Sequence, residues 1–292
     1  MLLKTRITTA LASIALLFVI LLFFNTIWFN VTCMVVTLIA FSEILKVFFN
    51  TSEKSAKWVF IGILPVVVFL FLFYSRGYAV YLQVVVVVEI LYFVLLQVLL
   101  FKQITYTQLS ATLLLGMYVL VGFFSASLLN TRYPYSIYGY DGLFYLALAL
   151  VVAWGADAFA YFVGINFGKH KMTPALSPKK SVEGALGGFV AGVMLGILTL
   201  YLYSIALKIV FFDLNATITL NTYIYVACLS AGATIISMAG DLFASAIKRQ
   251  HNIKDYGNIL PGHGGILDRF DSVLPILPFI VMLINFTPII LR

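Results

Sequence analysis

The sequence predicts an all-α fold, a polytopic membrane bundle of about nine transmembrane helices with a cytoplasmic N-terminus. Two observations are compositional: of 292 residues, only 10% are charged and 63% are hydrophobic. Soluble domains carry roughly 25% charged residues, so this chain cannot cover a water-facing surface and the bilayer must be its main solvent. The third observation is a series of apolar runs of about 20 residues, the length that crosses ~30 Å of hydrocarbon.

Each apolar run is predicted to be a helix, because backbone groups in lipid must find their hydrogen-bond partners within the chain. The runs are continuous, whereas the strands of a membrane barrel alternate apolar and polar residues. The first run resembles a signal peptide at its start, but it is too long and lacks a small-residue cleavage site, so we expect a retained helix. The runs lie near Ile7–Phe24, Ile27–Phe49, Trp58–Tyr74, Tyr78–Phe101, Leu109–Leu129, Leu143–Phe167, Gly184–Phe212, Thr222–Ile247 and Ser272–Leu291.

The orientation follows from the basic residues. Most of the 18 lysines and arginines fall on alternate connections, which the positive-inside rule places in the cytoplasm. This cytoplasmic group comprises Lys4, Arg6, Lys46, Lys54, Lys57, Lys102, Lys169, Lys171, Lys179, Lys180, Lys248, Arg249, Lys254 and Arg269. The opposite side keeps Arg76, Arg132, Lys208 and Arg292. The net charge of +7 is therefore explained by topology, and we expect no nucleic-acid partner.

The chain is predicted to form a single integral membrane domain over residues 1–292, because it shows no strong repeat, low-complexity tail or long linker. Polar residues are sparse up to Asp141 and then gather in two loops and their flanking helices. We expect residues 1–140 to be mainly scaffold and residues 141–292 to carry the active site. Cys33 and Cys228 lie inside apolar runs and predict neither a disulfide framework nor a zinc site.

The first polar loop, Asn166–Gly184, holds four lysines, a histidine and several hydroxyls. Its two prolines exclude regular helix and favour turns. Ser177 and Ser181 are candidates to cap the helix that begins near Glu183, and a helix N-terminus favours an anion. Lysines beside such a terminus suit a polyphosphate. The alternative is an ordinary basic loop that touches lipid headgroups.

The second polar segment, Gly240–Ser272, begins as a predicted helix that carries Asp241, Ser245 and the Lys248-Arg249 pair on one face. The run Pro261–Gly265 cannot be regular helix, and its three glycines allow close backbone approach to a ligand. Asp268 and Asp271, which follow, share a face if that turn is helical.

Carboxylates without thiolates suit a hard cation such as Mg²⁺, and neighbouring lysines and arginines suit phosphate oxygens. Together they form the clamp that phosphoryl or nucleotidyl transfer requires. The alternative is a structural ion-pair network at the membrane surface. His263, between glycines, is a candidate for contacting a phosphate, whereas His170 and His251 are interpreted as ordinary loop histidines.

Three carboxylates lie inside apolar runs, where a charge is costly. Asp157 is interpreted as functional by default, with pairing to a neighbouring helix as the alternative. Glu43 and Glu89 lack polar neighbours in the sequence and are interpreted as structural.

The segments Ser245–Arg249, Lys254-Asp255 and Pro261–Asp271 closely resemble the signature of the phosphatidate cytidylyltransferase family, also called CDP-diglyceride synthases. Ser177–Gly184 and Asp157–Tyr161 resemble two further motifs of that family. The resemblance covers roughly residues 140–275. Three positions depart from the family pattern. Ala244 stands where the family usually has an acid, Val182 where it usually has a tryptophan, and Ser181 where it usually has a threonine.

The resemblance implies cytidylyl transfer from CTP to phosphatidate, which gives CDP-diacylglycerol and pyrophosphate with Mg²⁺ as cofactor. It implies a catalytic set of Asp241, Lys248, Asp268, Arg269 and Asp271, of which Asp241, Asp268 and Asp271 would hold the cation. The implied substrate-binding residues are Asp157, Ser177, Lys179, Lys180, Ser181, Glu183, Ser245, Arg249, Lys254 and His263. One cation or two, and a homodimer, are left open.

The two substrates set the expected location. Phosphatidate lies in the bilayer and CTP in the cytosol, so we expect a bacterial inner-membrane protein whose active site faces the cytoplasm. A polar cavity is expected at the cytoplasmic ends of the sixth to eighth helices. Two rival functions share some of these features. One is an ion-coupled transporter, which usually shows paired repeats, and the other is a CTP-using lipid enzyme such as a polyprenol kinase.

Overall fold

A computed structural model describes residues 2–49, 53–74, 77–132, 141–174, 176–209 and 218–286. The chain divides into two compact units. The first unit consists of Met1–Arg132 together with Ile253–Arg269, and the second consists of Tyr133–Asn252 together with Phe270–Arg292. The second polar segment of the sequence is thus shared between the two units.

The first unit contains five long helices: α1 Leu2–Leu22, α2 Ile27–Phe48, α3 Glu53–Val68, α4 Leu82–Leu99 and α5 Tyr106–Arg132. Helix α3 contains Pro65 and continues as a π-helical turn over Phe69–Phe73. Proline removes one helical hydrogen bond, and such irregular turns are a common response. A 3₁₀ turn, Tyr78–Tyr81, leads into α4.

Helix α2 is central to the first unit, since it packs against both α3 and α5. Phe41 and Ile44 of α2 and Leu129 of α5 are among its fully buried side chains. The amide of Asn130 donates to the Thr26 carbonyl at 3.1 Å and to Asn30 Oδ1 at 2.8 Å. These bonds satisfy a buried polar group and fix α2 against α5.

The second unit contains helices α6 Asp141–Phe167, α7 Val182–Ile209, α8 Leu220–Gln250 and α10 Ile276–Phe286. In α9, a single helical turn over Leu267–Phe270, the chain passes from residues assigned to the first unit to residues assigned to the second. Two short strands, β1 Lys171–Thr173 and β2 Ser177–Ser181, form an antiparallel hairpin between α6 and α7.

Glycines on one side of α7 bring the helices of the second unit close together. A Cβ atom on Gly184 would lie 2.6 Å from the Ala160 carbonyl oxygen, and one on Gly188 would lie 2.8 Å from that of Ala156. Backbone cannot yield as a flexible side chain can, so α7 approaches α6 this closely only because these positions lack side chains. Further along α7, Gly192 faces Thr234 of α8 in the same way.

The predicted fold class is confirmed. Among the described residues, seven helices are long and apolar enough to cross a membrane: Ile27–Phe48, Lys54–Phe73, Tyr78–Leu99, Tyr106–Thr131, Asp141–Phe167, Val182–Ile209 and Leu220–Gln250. Leu11–Leu22 and Ile276–Asn285 are shorter apolar helices, within the first and last of the nine predicted runs. The cytoplasmic position of the N-terminus stays a prediction.

Two local expectations need correction. The last predicted span starts too early, because residues 271–275 form turns and α10 begins at Ile276. Pro275 has no N–H and a fixed φ, so it suits a helix start better than an interior. The end of that span, beyond Phe286, lies outside the described residues. The first basic loop, in which the prolines were expected to exclude helix and favour turns, also forms the β1–β2 hairpin, whose edge strands tolerate Pro178.

Candidate functional site

Two carboxylate–lysine pairs form the centre of a polar cluster in the second unit. Lys180 of β2 donates to Oδ2 of Asp241 on α8, and Ser245, one turn further along α8, donates to Oδ1 of Asp241 at 3.5 Å. The predicted common face of Asp241 and Ser245 is therefore present. The hairpin contributes one lysine directly to this face.

The second pair joins the end of α8 to the turn before α10. Nζ of Lys248 lies 3.6 Å from Oδ2 of Asp271, and the two side chains are only 13% and 12% exposed. The backbone N–H of Ser272 donates to Oδ1 of Asp271 at 2.9 Å. A nearly buried charge of this kind requires such partners, because water is largely excluded from it.

Asp271 is influenced by its burial and by two neighbouring carboxylates. Burial, followed by the nearby charges of Asp241 and Asp157, raises the pKa of Asp271 to about 7, although Lys248 opposes the change. Three carboxylates, Asp157, Asp241 and Asp271, therefore act on one another here. Neighbouring carboxylates of this kind favour a cation, because an opposite charge relieves their mutual repulsion.

This donor set fits a magnesium ion held partly by substrate. Among the described residues, no group of three or more His, Cys, Asp or Glu side chains forms a ready-made metal site. Mg²⁺ is commonly held by one or two carboxylates, with water and substrate phosphates completing its shell. Asp241 and Asp271 meet that requirement. The predicted share of Asp268 in the same site stays a prediction, because Asp268 belongs to the first unit.

Two side chains that were predicted to bind substrate, Ser181 and Glu183, connect α7 to the hairpin and to the residues just before it. Oγ of Ser181 accepts from the Gly184 N–H at 3.1 Å and caps α7, as expected for one of the two candidate serines. The Glu183 carboxylate accepts from the Lys169 N–H at 3.0 Å and pairs with Nδ1 of His170 at 2.6 Å. These contacts give both residues a structural role, and their substrate contacts stay predictions.

The remaining predicted residues of the second unit differ in exposure. Nε of Arg249 donates to the Leu176 carbonyl in the hairpin turn at 3.4 Å. Lys179 is exposed, whereas Ser177 is half-buried at the start of β2. Asp157 is also half-buried, within α6.

The first unit holds the glycine-rich part of the predicted site, the glycine loop Tyr256–Asp268. Its run Pro261–Gly265 is not regular helix, as predicted: Gly262 and Gly264 have positive φ angles of 77° and 84°, which residues with side chains rarely adopt. The Leu260 N–H donates to the Gly264 carbonyl at 2.9 Å and closes the turn between them. Nδ1 of His263 lies at hydrogen-bond distance, 2.9 Å, from Oγ1 of Thr9 on α1.

Two carboxylates bind backbone N–H groups of this loop. Oδ2 of Asp268 accepts from Tyr256 at 2.7 Å and from Gly265 at 3.0 Å. The Glu43 carboxylate, on α2, accepts from Ile266 and Leu267, each at 3.0 Å. Glu43 was interpreted as structural from the sequence, which gives no sign of partners more than 200 positions away. Lys254 and Arg269, two predicted site residues of this unit, are exposed.

Comparison with known sequences decides the family. The sequence profile of the cytidylyltransferase family matches residues 4–287 of this chain, which is nearly its whole length.

The chain belongs to the cytidylyltransferase family.

This cytidylyltransferase-family chain is similar to bacterial proteins named phosphatidate cytidylyltransferase. The protein from Bacillus subtilis (strain 168) is 43% identical over 143 residues, which make up 49% of this chain and 48% of that protein. The one from Staphylococcus haemolyticus (strain JCSC1435) is 40% identical over 144 residues, 49% of this chain and 50% of that protein. The Staphylococcus aureus (strain COL) protein is 37% identical over 144 residues, with the same two shares. The chain thus matches about half the length of these relatives.

Proposed function

We propose that this protein transfers a cytidylyl group from CTP to phosphatidate, which forms CDP-diacylglycerol and pyrophosphate for phospholipid synthesis. The observation that carries the proposal is the buried Lys248–Asp271 pair beside Asp241 and its partner Lys180. The family of the chain and the names of its relatives support the choice of reaction.

The reaction depends more on neutralising the charges of its two anionic substrates than on a general base. A phosphate oxygen of phosphatidate, already anionic at neutral pH, attacks the α-phosphorus of CTP. A new P–O bond forms, and the bond between the α-phosphorus and the oxygen that leaves with pyrophosphate breaks. Because the nucleophile carries no proton that must be removed, the main barrier is the approach of two anions.

Lys180 and Lys248 are suited to lower that barrier. Each ammonium group lies beside a carboxylate that holds it in place, so its position is set before substrate arrives. A substrate phosphate that enters the cluster would accept hydrogen bonds from these two ammonium groups. Arg249, at the end of α8, adds a third positive charge near the hairpin turn.

The grouping of Asp157, Asp241 and Asp271 supports a role for Mg²⁺. Asp241 and Asp271 are the residues of the second unit that would hold the ion. When bound, Mg²⁺ would neutralise the triphosphate and the departing pyrophosphate. One or two cations are compatible with this proposal.

The substrates also imply a location. A lipid phosphate and a cytosolic nucleotide meet at the membrane surface, so we infer that the cluster faces the cytoplasm, and the bacterial relatives favour an inner membrane. The proposed chemistry uses residues of one chain, so the homodimer stays a prediction.

The test is an assay of the purified protein in detergent with CTP, Mg²⁺ and one lipid at a time. We expect pyrophosphate release with phosphatidate and none with diacylglycerol or a polyprenol. Release of CDP with a polyprenol, and no pyrophosphate, would instead indicate a lipid kinase. Solute flux into liposomes, with no nucleotide turnover under any condition, would support the transporter.

A further inference from the structure

Glu43 is a fully buried carboxylate near the end of α2, with an exposed fraction of 0%. Oε1 of Glu43 accepts from the Ile266 N–H and Oε2 accepts from the Leu267 N–H, both at 3.0 Å. Leu267 is the first residue of α9, so these N–H groups belong to the start of a helix and have no partner within it. Glu43 therefore caps α9 from a different part of the chain.

The glycine loop is shaped to admit this carboxylate. A Cβ atom on Gly257 would lie 2.5 Å from Oε1 of Glu43, and one on Gly265 would lie 2.5 Å from its Cδ. Both positions therefore need glycine because the loop backbone closes on the carboxylate from two sides. Packing of this kind fixes the position of Glu43 as well as that of the loop.

The same loop holds Asp268. Three successive N–H groups are divided between the two acids: Gly265 donates to Asp268, whereas Ile266 and Leu267 donate to Glu43. Tyr256, at the other end of the loop, also donates to Asp268. The orientation of the Asp268 carboxylate is thus set by a backbone segment that Glu43 holds in place.

We propose that Glu43 is a positioning residue, which fixes the glycine loop so that Asp268 is presented in one orientation. For the enzyme reaction this inference rests on the proposed function and on the sequence-based prediction that Asp268 is a cation ligand. The role in loop order does not depend on that function. A glutamine in place of Glu43 has one acceptor oxygen, so one of the two N–H groups would face an NH₂ donor and lose its partner.

Amide hydrogen exchange tests the positioning role without any assay of activity. We expect Glu43→Gln to speed exchange across residues 256–268 by about tenfold, the effect of losing one hydrogen bond to a charged group. Glu89→Gln is the matched control, since Glu89 lies in an apolar helix of the same unit and its Oε1 has no hydrogen-bond partner within the described residues. Equal exchange in wild type and Glu43→Gln would overturn the proposal.

A second variant, Glu43→Asp, keeps the test decisive if Glu43→Gln does not fold. Glu43→Asp keeps both acceptor oxygens but is one methylene shorter, so exchange in the loop should lie between wild type and Glu43→Gln. If Glu43→Gln does not fold, the comparison of Glu43→Asp with Glu89→Gln decides by the same measurement. Loop exchange in Glu43→Asp equal to that in Glu89→Gln would overturn the proposal in that case.

The link to Asp268 is tested by the Mg²⁺ dependence of pyrophosphate release. We expect Glu43→Gln to raise the half-activating Mg²⁺ concentration by about tenfold, Glu43→Asp to raise it less, and Glu89→Gln to leave it unchanged. A lower maximal rate with unchanged Mg²⁺ dependence would overturn the link to Asp268. If the wild-type protein has no activity on CTP and phosphatidate, the proposed function fails, and the exchange result still decides the role of Glu43 in the loop.

Discussion

Nζ of Lys248 lies 3.6 Å from Oδ2 of Asp271, in a pair of side chains that are both nearly buried. The pair joins the last turn of α8 to the turn before α10. Removal of one partner from such a pair weakens the compensation of a charge that has little access to water. The pair is therefore the most sensitive point of the proposed active site.

Lys248→Met should lower kcat/KM for pyrophosphate release by about 100-fold, as loss of one positioned charge donor does in other transfer enzymes. Lys248→Arg keeps the positive charge and should lower kcat/KM by a smaller factor. Lys208→Met is the control, because Lys208 is an exposed lysine in the last turn of α7. Equal rates for Lys248→Met and Lys208→Met would remove Lys248 from the catalytic set.

The two adjacent hairpin lysines should differ in importance. Lys180 pairs with Asp241, whereas Lys179 is exposed. We expect Lys180→Gln to reduce kcat/KM for CTP by about tenfold more than Lys179→Gln, since only Lys180 is held in the cluster. Steady-state kinetics of the two variants, compared at one lipid concentration, provide the measurement. A larger loss in Lys179→Gln would mean that the hairpin presents its outer face to substrate.

Asp271 predicts how stability depends on pH when no divalent cation is bound. Its pKa of about 7 in the folded protein lies well above the unfolded value, so the folded state retains a proton that the unfolded chain releases. Stability should fall as pH rises through this range, by about 1 kcal/mol between pH 6 and pH 8. Thermal unfolding in detergent with EDTA provides the measurement.

Two controls accompany the pH experiment. The side chain introduced by Asp271→Asn cannot ionise, so the difference in stability between pH 6 and pH 8 should be smaller in that variant. Mg²⁺ should stabilise the wild type more at pH 8 than at pH 6, because the cation competes with the proton. An unchanged pH difference in Asp271→Asn would assign the effect to another group.

Gly192→Ala should destabilise the second unit by roughly 1–3 kcal/mol, because the added methyl group would overlap the side chain of Thr234 on α8. Thr234→Ala removes the overlapping hydroxyl and methyl groups, and among the described residues that hydroxyl donates to the Ser230 carbonyl of its own helix at 2.7 Å. The double variant should therefore recover most of the stability. Denaturation of the three variants in one detergent tests this, and no recovery in the double variant would argue against close α7–α8 packing.

The sequence predicted the helices well because their signal is local. Long apolar runs of membrane length mark the spans, and the serine before Glu183 marks the start of α7, where Ser181 does cap the helix. The hairpin was not predicted because its strands are only three and five residues long, and β2 consists entirely of serine, proline and lysine. Such short strands carry no recognisable alternation.

The candidate site was predicted in part. Asp241, Ser245 and Lys248 follow from helical spacing within one segment. Glu43 does not, because its partners Ile266 and Leu267 donate backbone N–H groups, which leave no trace in the residue types. The one sequence signal was the cost of a carboxylate in an apolar run, a signal that Glu43 shares with Glu89.

The most direct test of the central claim follows radioactive phosphorus from CTP into the products. Purified protein is supplied with phosphatidate, Mg²⁺ and CTP that carries radioactive phosphorus in either the α- or the γ-position. The account predicts that the α-label enters the lipid phase and the γ-label leaves as pyrophosphate. Transfer of the γ-label to lipid, or retention of both labels in water-soluble nucleotide, would contradict it.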